Sequence, residues 1–536
     1  MSSEPPAFVT IDRGTATIAA ALIGRVDGRW RLLGASASPA NVGAAPLIAR
    51  LRARLVASDP ELAHACGLAG AAGDDDLPRV ETRTSPPPVI VVLGATMRAV
   101  GPLAAAASTA GWQVRSMAIE GADILAVATA LADPSVAAVL AGCSDPPGGD
   151  ERPLIAELGA LVAAASQRRP DLTVILAGPV GEPGGGVEPA SSPERSGATI
   201  LAPAPAIADG ARLRALLDGV RGGETDGRRA LARSAVTLAD VLQRRVEVVE
   251  IGQSSGMRVS AAWSPDGVVA PPETAFVPAA ALVPPGEDDS IVDEVAGWLA
   301  VPIDRLRLRD RLRDLAVVPW GDAAGDGAQL RMAAARAALA RLVDATPPHD
   351  ALPTPDLVVA AGGVWTVAPG PAVALALADI LRRPGARGLG LDHARILAPL
   401  GMIEDPVERR DVMADLRDEL LVPLGTVLMP AGLRAGRSIG SLGVQGDGAP
   451  VELDLVPGGI ELVDLPPGER AVLDATFRET VDLGHRTRRV ALEVAGGLGG
   501  LLVDLRDIPL QLPDRVERRR ELMLAWQAAL WSGLEG

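Results

Sequence analysis

One pattern, present twice, constrains this chain more than any other feature. Residues 8–24, FVTIDRGTATIAAALIG, pass from an apolar strand-like segment through a small-residue turn into a second apolar segment, with Asp12 where strand gives way to turn. Residues 246–262, VEVVEIGQSSGMRVSAA, repeat the arrangement with Glu250 in that place. A pattern that begins near residue 8 and begins again near residue 246 reads as an internal duplication. Each half must then bury a sheet of its own, and the chain has the length for about three domains.

The segments around these turns support a sheet covered by helices. VIVVLG (89–94), SVAAVLAG (135–142), DLTVILAG (171–178) and DLVVAAGG (356–363) are apolar runs of strand length. Helical stretches stand between or beside them, at 45–57, 121–132, 153–167, 207–218, 229–244, 329–344 and 371–382. Continuous apolar strands spaced by helical lengths indicate strands buried on both faces. Residues 181–197 are rich in Gly, Pro and Ser and read as loop. Beyond about residue 400 the character changes. VELDLV, AVLDATF, RVALEVAG and LLVDLRD mix apolar and polar residues between Gly or Pro turns, which favours an antiparallel β-rich module ending in a helix from Pro513. The expected division is 1–244, 245–400 and 401–536.

Composition narrows the function. The net charge of −16 repels phosphate backbones, and aromatics at 2%, with no Tyr, leave little for stacking bases, so nucleic acid is not an expected partner. The Arg305–Arg313 and Arg515–Arg520 clusters carry acidic neighbours and read as solvated helix faces. Cys66 and Cys143 make no CxxC, and the four histidines show no metal spacing. With no signal segment and no long uninterrupted apolar run, the expectation is a cytoplasmic protein without a membrane span.

The chemistry then falls to three turns. Small residues let backbone N–H groups approach phosphate oxygens, and a carboxylate at a strand end can hold Mg²⁺ through water or orient an attacking water. The first turn offers Asp12, Gly14, Thr15 and Thr17. The second offers Glu250, Gly252, Ser254 and Ser255, and the exit AGGV offers Gly362 and Gly363. Singly, each is equally an Asx turn, a hairpin or a strand-to-helix turn. In this order through two halves, they favour a nucleotide cleft. No P-loop motif occurs at these turns, and the first lacks the three-glycine dinucleotide fingerprint.

On these residues the chain resembles the glutamate mutase L (MutL-like) proteins of the actin, sugar kinase and Hsp70 ATPase superfamily. IDRGTAT is similar to their Asp-x-Gly-x-Thr-x-Thr turn at Asp12, Gly14 and Thr17. EIGQSSG matches a second such turn at Gly252 and Ser255, and AGG matches the exit glycines. LLVDLRDIPLQLPDRVERRRELMLAWQAALWSG resembles the family's C-terminal run. The resemblance implies duplicated ribonuclease H-like α/β lobes around a central cleft, plus the β-rich C-terminal module. It implies ATP or ADP with Mg²⁺, held with Asp12 organising the metal's water and Glu250 as the opposing carboxylate. It implies an accessory or reactivating, chaperone-like role toward an adenosylcobalamin-dependent mutase. The distinct pattern and terminal helix of the C-terminal module make that module the candidate partner surface. Arg13 in the first turn, Glu for Asp at 250 and no lysine beside Thr17 depart from the pattern. At most a weak Mg-dependent ATPase is expected. A nucleotide-silent scaffold and a small-molecule kinase of the same fold are the alternatives.

Overall fold

The computed structural model describes residues 6–69, 77–84, 86–144, 146–181, 199–202, 210–221, 227–269, 275–284, 289–319, 326–345, 354–434, 438–446, 448 and 450–531. Nearly all of the 181–197 loop read from composition lies outside them. The chain forms two compact units. One is Met1–Ser85 with Thr225–Thr274 and Ala280–Gly536; the other is Pro86–Glu224 with Ala275–Ala279.

The first unit opens with β1 (Ala7–Arg13), β2 (Thr17–Val26), β3 (Arg29–Pro39) and, after a helix Ala44–Ser58, β4 (Arg79–Arg83). They form a sheet in the order β3-β2-β1-β4, antiparallel through the hairpins and parallel between β1 and β4. Alternation sorts β1 onto two faces. Ala7, Val9 and Ile11 pack under the helix Ala44–Ser58 with Ile18, Ala20 and Leu22. Phe8 faces the opposite core with Ala21 and Ile23, and the alternation puts Thr10 and Asp12 on that same face.

After β4 the chain enters the second unit, where β5 (Val89–Gly94), β6 (Gln113–Ala118), β7 (Val136–Gly142), β8 (Thr173–Ala177) and β9 (Thr199–Ala202) make an all-parallel sheet. Their order is β6-β5-β7-β8-β9, the doubly wound order 2-1-3-4-5. Separate apolar clusters cover its two faces, as the unbroken Val/Ile/Leu runs require. At the carboxyl ends of β5 and β7, where this topology usually opens a crevice, the buried Glu151 carboxylate accepts from the Thr96 hydroxyl at 2.8 Å, the Ser144 hydroxyl at 2.9 Å, Ser144 N at 3.2 Å and Gly148 N at 3.1 Å.

The first unit resumes at Gly227, where a Cβ would stand 3.4 Å from Thr84 Oγ1, so the chain re-enters beside the point where it left. The helix Gly227–Leu242 leads into β10 (Arg245–Ile251), β11 (Gly256–Ser264) and β12 (Gly267–Val269), while β13 (Ala275–Val277) falls among the second unit's residues. Then come β14 (Leu357–Ala361), β15 (Gly385–Leu391) and β16 (Val422–Met429). The run β12-β11-β10-β14 repeats β3-β2-β1-β4 in order and in every strand direction, and β15 extends it in parallel. The fold is thus mixed α/β with two lobes on the duplicated ribonuclease H-like, actin-like ATPase plan. The helix Gly227–Leu242 packs on β10, β11 and the short helix Leu397–Leu400, which also touches β1 and β4. One apolar cluster therefore takes in Phe8, Leu238, Val248, Val359, Ile396 and Leu400 from both lobes.

The change of character at residue 400 is not a sheet boundary. β16 pairs antiparallel with β15, and the same sheet continues to β22 (Leu501–Asp504). Between them lie β17 (Gly440–Gly446), β18 (Val451–Leu455), β19 (Ile460–Val463), β20 (Arg470–Asp482) and β21 (Arg486–Ala495). β19 joins β22, and the others form an antiparallel sheet in the order β18-β17-β20-β21. Burial alternates residue by residue from Arg470 to Phe477, so this sheet has one packed and one solvated face.

The C-terminal run that carries the strongest family resemblance is occupied with packing. The buried Arg506 donates to Asp504 at 2.8 and 2.7 Å and to Asp379 at 2.8 Å. Asp379 also accepts from Arg336 Nε at 2.5 Å. Arg506 lies 4.6 Å over the Trp526 ring, whose Nε1 donates to Gly458 O at 3.1 Å. Burial alone would lower the Arg506 pKa, but Asp504 and Asp379 hold it above the usual value. The network ties β22, the helix Gly370–Ile380 and the terminal helix Val516–Trp531 together.

Candidate functional site

The first and second turns match in register. In the first, Asp12 pairs with Ala19, Arg13 with Ile18, and Gly14 N donates to Thr17 O at 2.9 Å. In the second, Glu250 pairs with Met257, Ile251 with Gly256, and Gly252 N donates to Ser255 O at 2.9 Å. Asp12 and Glu250, Gly14 and Gly252, and Thr17 and Ser255 therefore hold equivalent places. Thr15 and Ser254 sit half-buried in the bends between.

Gly362 and Gly363 join the two. At Gly362, φ is +98°, and a Cβ would fall 2.4 Å from Ile251 O and 3.3 Å from Glu250 Cγ. Glycine is needed here on both counts. At Gly363 a Cβ would lie 3.0 Å from Thr17 Oγ1 and 3.4 Å from Arg395 Nη1. The glycine pair thus touches the second turn with one residue and the first with the next. Only about a methyl group's width separates Gly363 from Thr17.

What organises the place is a residue that sequence reasoning passed over. Arg395 follows β15 and reaches back to the first turn. Its Nε and Nη2 donate to Asp12 Oδ2 at 2.8 and 2.5 Å, and Nη1 donates to Thr17 Oγ1 at 2.7 Å. The other carboxylate oxygen, Oδ1, accepts from the buried Thr82 hydroxyl at 3.2 Å. The Arg395 and Asp12 side chains are only 6% and 14% exposed. Arg13, which departs from the family pattern, points away from this place, since alternation puts it on the other face of β1, where it pairs with Glu81 of β4.

The turn that carries Arg395 is firmly built. Asp392 N donates to Ala360 O at 2.9 Å, and the Asp392 carboxylate accepts from Ile396 N at 3.0 Å and Leu397 N at 3.2 Å, so it satisfies the start of the next helix. Burial pushes the Asp392 carboxyl up to about 7. Those two N–H groups oppose the rise, the Asp12 charge adds to it and the Arg395 charge opposes it. Arg395 itself has φ +56°, a left-handed conformation that costs a non-glycine residue roughly 1–2 kcal/mol. The sequence signal was a strand end followed by Asp-x-x-Arg. It was hidden because GARGLGL, with its three glycines, does not read as a strand.

Second-turn contacts are different. Gln253 Nε2 donates to Ala316 O at 2.7 Å, and Gly252 O accepts from Leu282 N at 2.9 Å. Among the described residues no group of three His, Cys, Asp or Glu could hold a metal, and no helix is long and apolar enough to cross a membrane.

A Mg-nucleotide does not fit this arrangement. Both Asp12 oxygens are engaged and the Thr17 hydroxyl is taken by Arg395, so the metal and phosphate would have to displace the guanidinium to reach them.

No family model and no curated protein matches the chain. Solved structures with a similar chain path include component A of (R)-2-hydroxyglutaryl-CoA dehydratase from Acidaminococcus fermentans, at 9% identity, covering 75% of this chain and 98% of that one with a TM-score of 0.27. The PPX-GPPA enzyme of Aquifex aeolicus is similar at 10% identity, 77% and 92% coverage and a TM-score of 0.20. A chain of the PilM–PilN type IV pilus biogenesis complex is similar at 13% identity, 75% and 98% coverage and a TM-score of 0.21. At such scores these likenesses carry no argument, and the fold assignment rests on the duplicated strand order and the matched turns.

Proposed function

We propose that the protein is an accessory protein on the actin-like ATPase plan that engages an adenosylcobalamin-dependent mutase in the cytoplasm and does not turn over ATP in the state described. One observation carries the absence of turnover: the carboxylate best placed for metal and water, Asp12, is held on both oxygens by Arg395 and Thr82. The mutase as partner rests on the family resemblance of the C-terminal run. The solvated face of β20 and β21, with Arg470, Asp474 and Glu493, is the proposed contact surface.

The test is co-purification with a mutase and measurement of its recovery from inactivation, with ATP supplied and withheld, beside a phosphate-release assay. Mutase recovery without phosphate release supports the proposal. Phosphate release that is lost in Asp12→Asn refutes it.

A second reading, an ATP- or ADP-responsive switch, is favoured by the equivalent turns flanking Gly362 and Gly363. Its nucleotide would lie between Gly14, Thr15 and Thr17 on one side and Gly252, Ser254 and Ser255 on the other, which requires Arg395 to leave Asp12. Saturable heat on titration with Mg-ATP or Mg-ADP would favour this reading over the first.

A further inference from the structure

We infer that Arg395 is the resident cation of this cleft, a guanidinium standing where a Mg²⁺-dependent site of this fold would keep its metal, so that Asp12 is closed to divalent ions by the chain itself. The inference rests on reading the matched turns as the cleft of an ATPase plan, and it adds what that reading leaves open: the response to metal.

Four features place the charge. The strand end at Leu391 and the Asp392 carboxylate fix the turn by bonds to Ala360 O, Ile396 N and Leu397 N. The left-handed backbone at Arg395 turns the side chain back toward β1, and strain of that kind persists where the surroundings impose it. Gly363 lies beside the guanidinium, where a Cβ would come tightly, at 3.0 Å, against its Thr17 Oγ1 partner and into ordinary contact, at 3.4 Å, with Nη1. Its three donors then meet Asp12 Oδ2 twice and Thr17 Oγ1 once. The planar fork thus uses the carboxylate and hydroxyl that a hydrated ion would need.

The energetics favour exclusion. Mg²⁺ gives up its water reluctantly and is usually bound through one or two carboxylates. To reach Asp12 it must strip Arg395 of its partner, leaving a side chain that is only 6% exposed without a counter-charge. Uncoupling a buried pair is strongly unfavourable. If Arg395 stayed, the metal's charge would be added to one the carboxylate already neutralises.

Mn²⁺ serves as the probe, titrated into the full-length protein and followed by water-proton relaxation and by calorimetry. The wild type is expected to show no Mn²⁺ site that Asp12→Asn removes. Arg395→Met should gain one site, at least about tenfold tighter than any in the wild type, that disappears in the Asp12→Asn/Arg395→Met double variant. Arg395→Lys, which restores a positive charge, should remain blind to Mn²⁺. A wild-type Mn²⁺ site abolished by Asp12→Asn would overturn the inference. So would a folded Arg395→Met that binds no more Mn²⁺ than the double variant. Should Arg395→Met fail to fold, the wild type, Asp12→Asn and Arg395→Lys still decide. A metal-blind cleft in a protein with no mutase partner would discard the accessory role and leave this inference standing.

Discussion

Removing Arg395 and Asp12 singly and together measures how far one ion pair couples the two lobes. The guanidinium and carboxylate are in direct contact, at 2.5 and 2.8 Å, so their charge centres lie roughly 4 Å apart; at an effective dielectric near 20 such a pair is worth about 4 kcal/mol. Both side chains are well under a third exposed, so solvent screening discounts this little. Leaving either charge unpaired in a buried place costs about 3–5 kcal/mol. Arg395→Met and Asp12→Asn should each lower the opening free energy of the β1–β2 hairpin by about that much. The double variant should lose about 3–4 kcal/mol less than the sum of the two. Native-state hydrogen exchange on peptides covering 8–24 and 385–400 reads this locally, without assuming that the two units unfold together. Penalties that add to within about 0.5 kcal/mol would refute the coupling, because independent sites add that well.

Two further outcomes follow from the same region. The Asp392 carboxyl, raised to about 7 by burial, should contribute stability that is fully present below its unfolded pKa near 4 and is lost as pH rises through 7. The three-unit rise corresponds to at most about 4 kcal/mol. Denaturation from pH 5 to 8 should show this slope in the wild type and a flatter one in Asp392→Asn, and an unchanged slope in the variant would assign it elsewhere. Gly362→Ala should destabilise the lobe by more than about 1 kcal/mol, since it meets both a left-handed φ and a carbonyl oxygen 2.4 Å from the new methyl. An alanine variant with unchanged thermal stability would mean that β14 leaves the sheet differently.

The duplication was legible because its signal is local. A β-branched run, a carboxylate, a glycine three residues before a hydroxyl and a second apolar run are written in consecutive letters, and both hairpins follow them. VIVVLG and DLVVAAGG were equally plain, being buried on both faces. β15 was not, since Gly388 and Gly390 supply no apolar side chains to read, and a Cβ on either would approach Leu357 or Leu421. With that strand went its successor, Arg395, whose partner is distant in sequence and whose role exists only once β1 and β15 stand in their sheets. The residues after 400 alternate as an antiparallel module should, but pairing partners are non-local, so nothing in β16 or β22 announces that they extend the sheet of β10, β14 and β15. The family-like C-terminal letters were legible as a resemblance, while the buried pairing of Arg506 with Asp504 and Asp379 that they encode was not.

Thr84 and Gly227, where the chain departs for the second unit and comes back, are neighbours. This doorway is not the whole of the second unit's attachment, because Ala275–Ala279 belongs to that unit as well, and there β13 touches the helix Met97–Thr109. A deletion that joined Thr84 to Gly227 by a short linker would therefore strip β13 of the helix it packs on, so the short piece would have to be redesigned together with the long one.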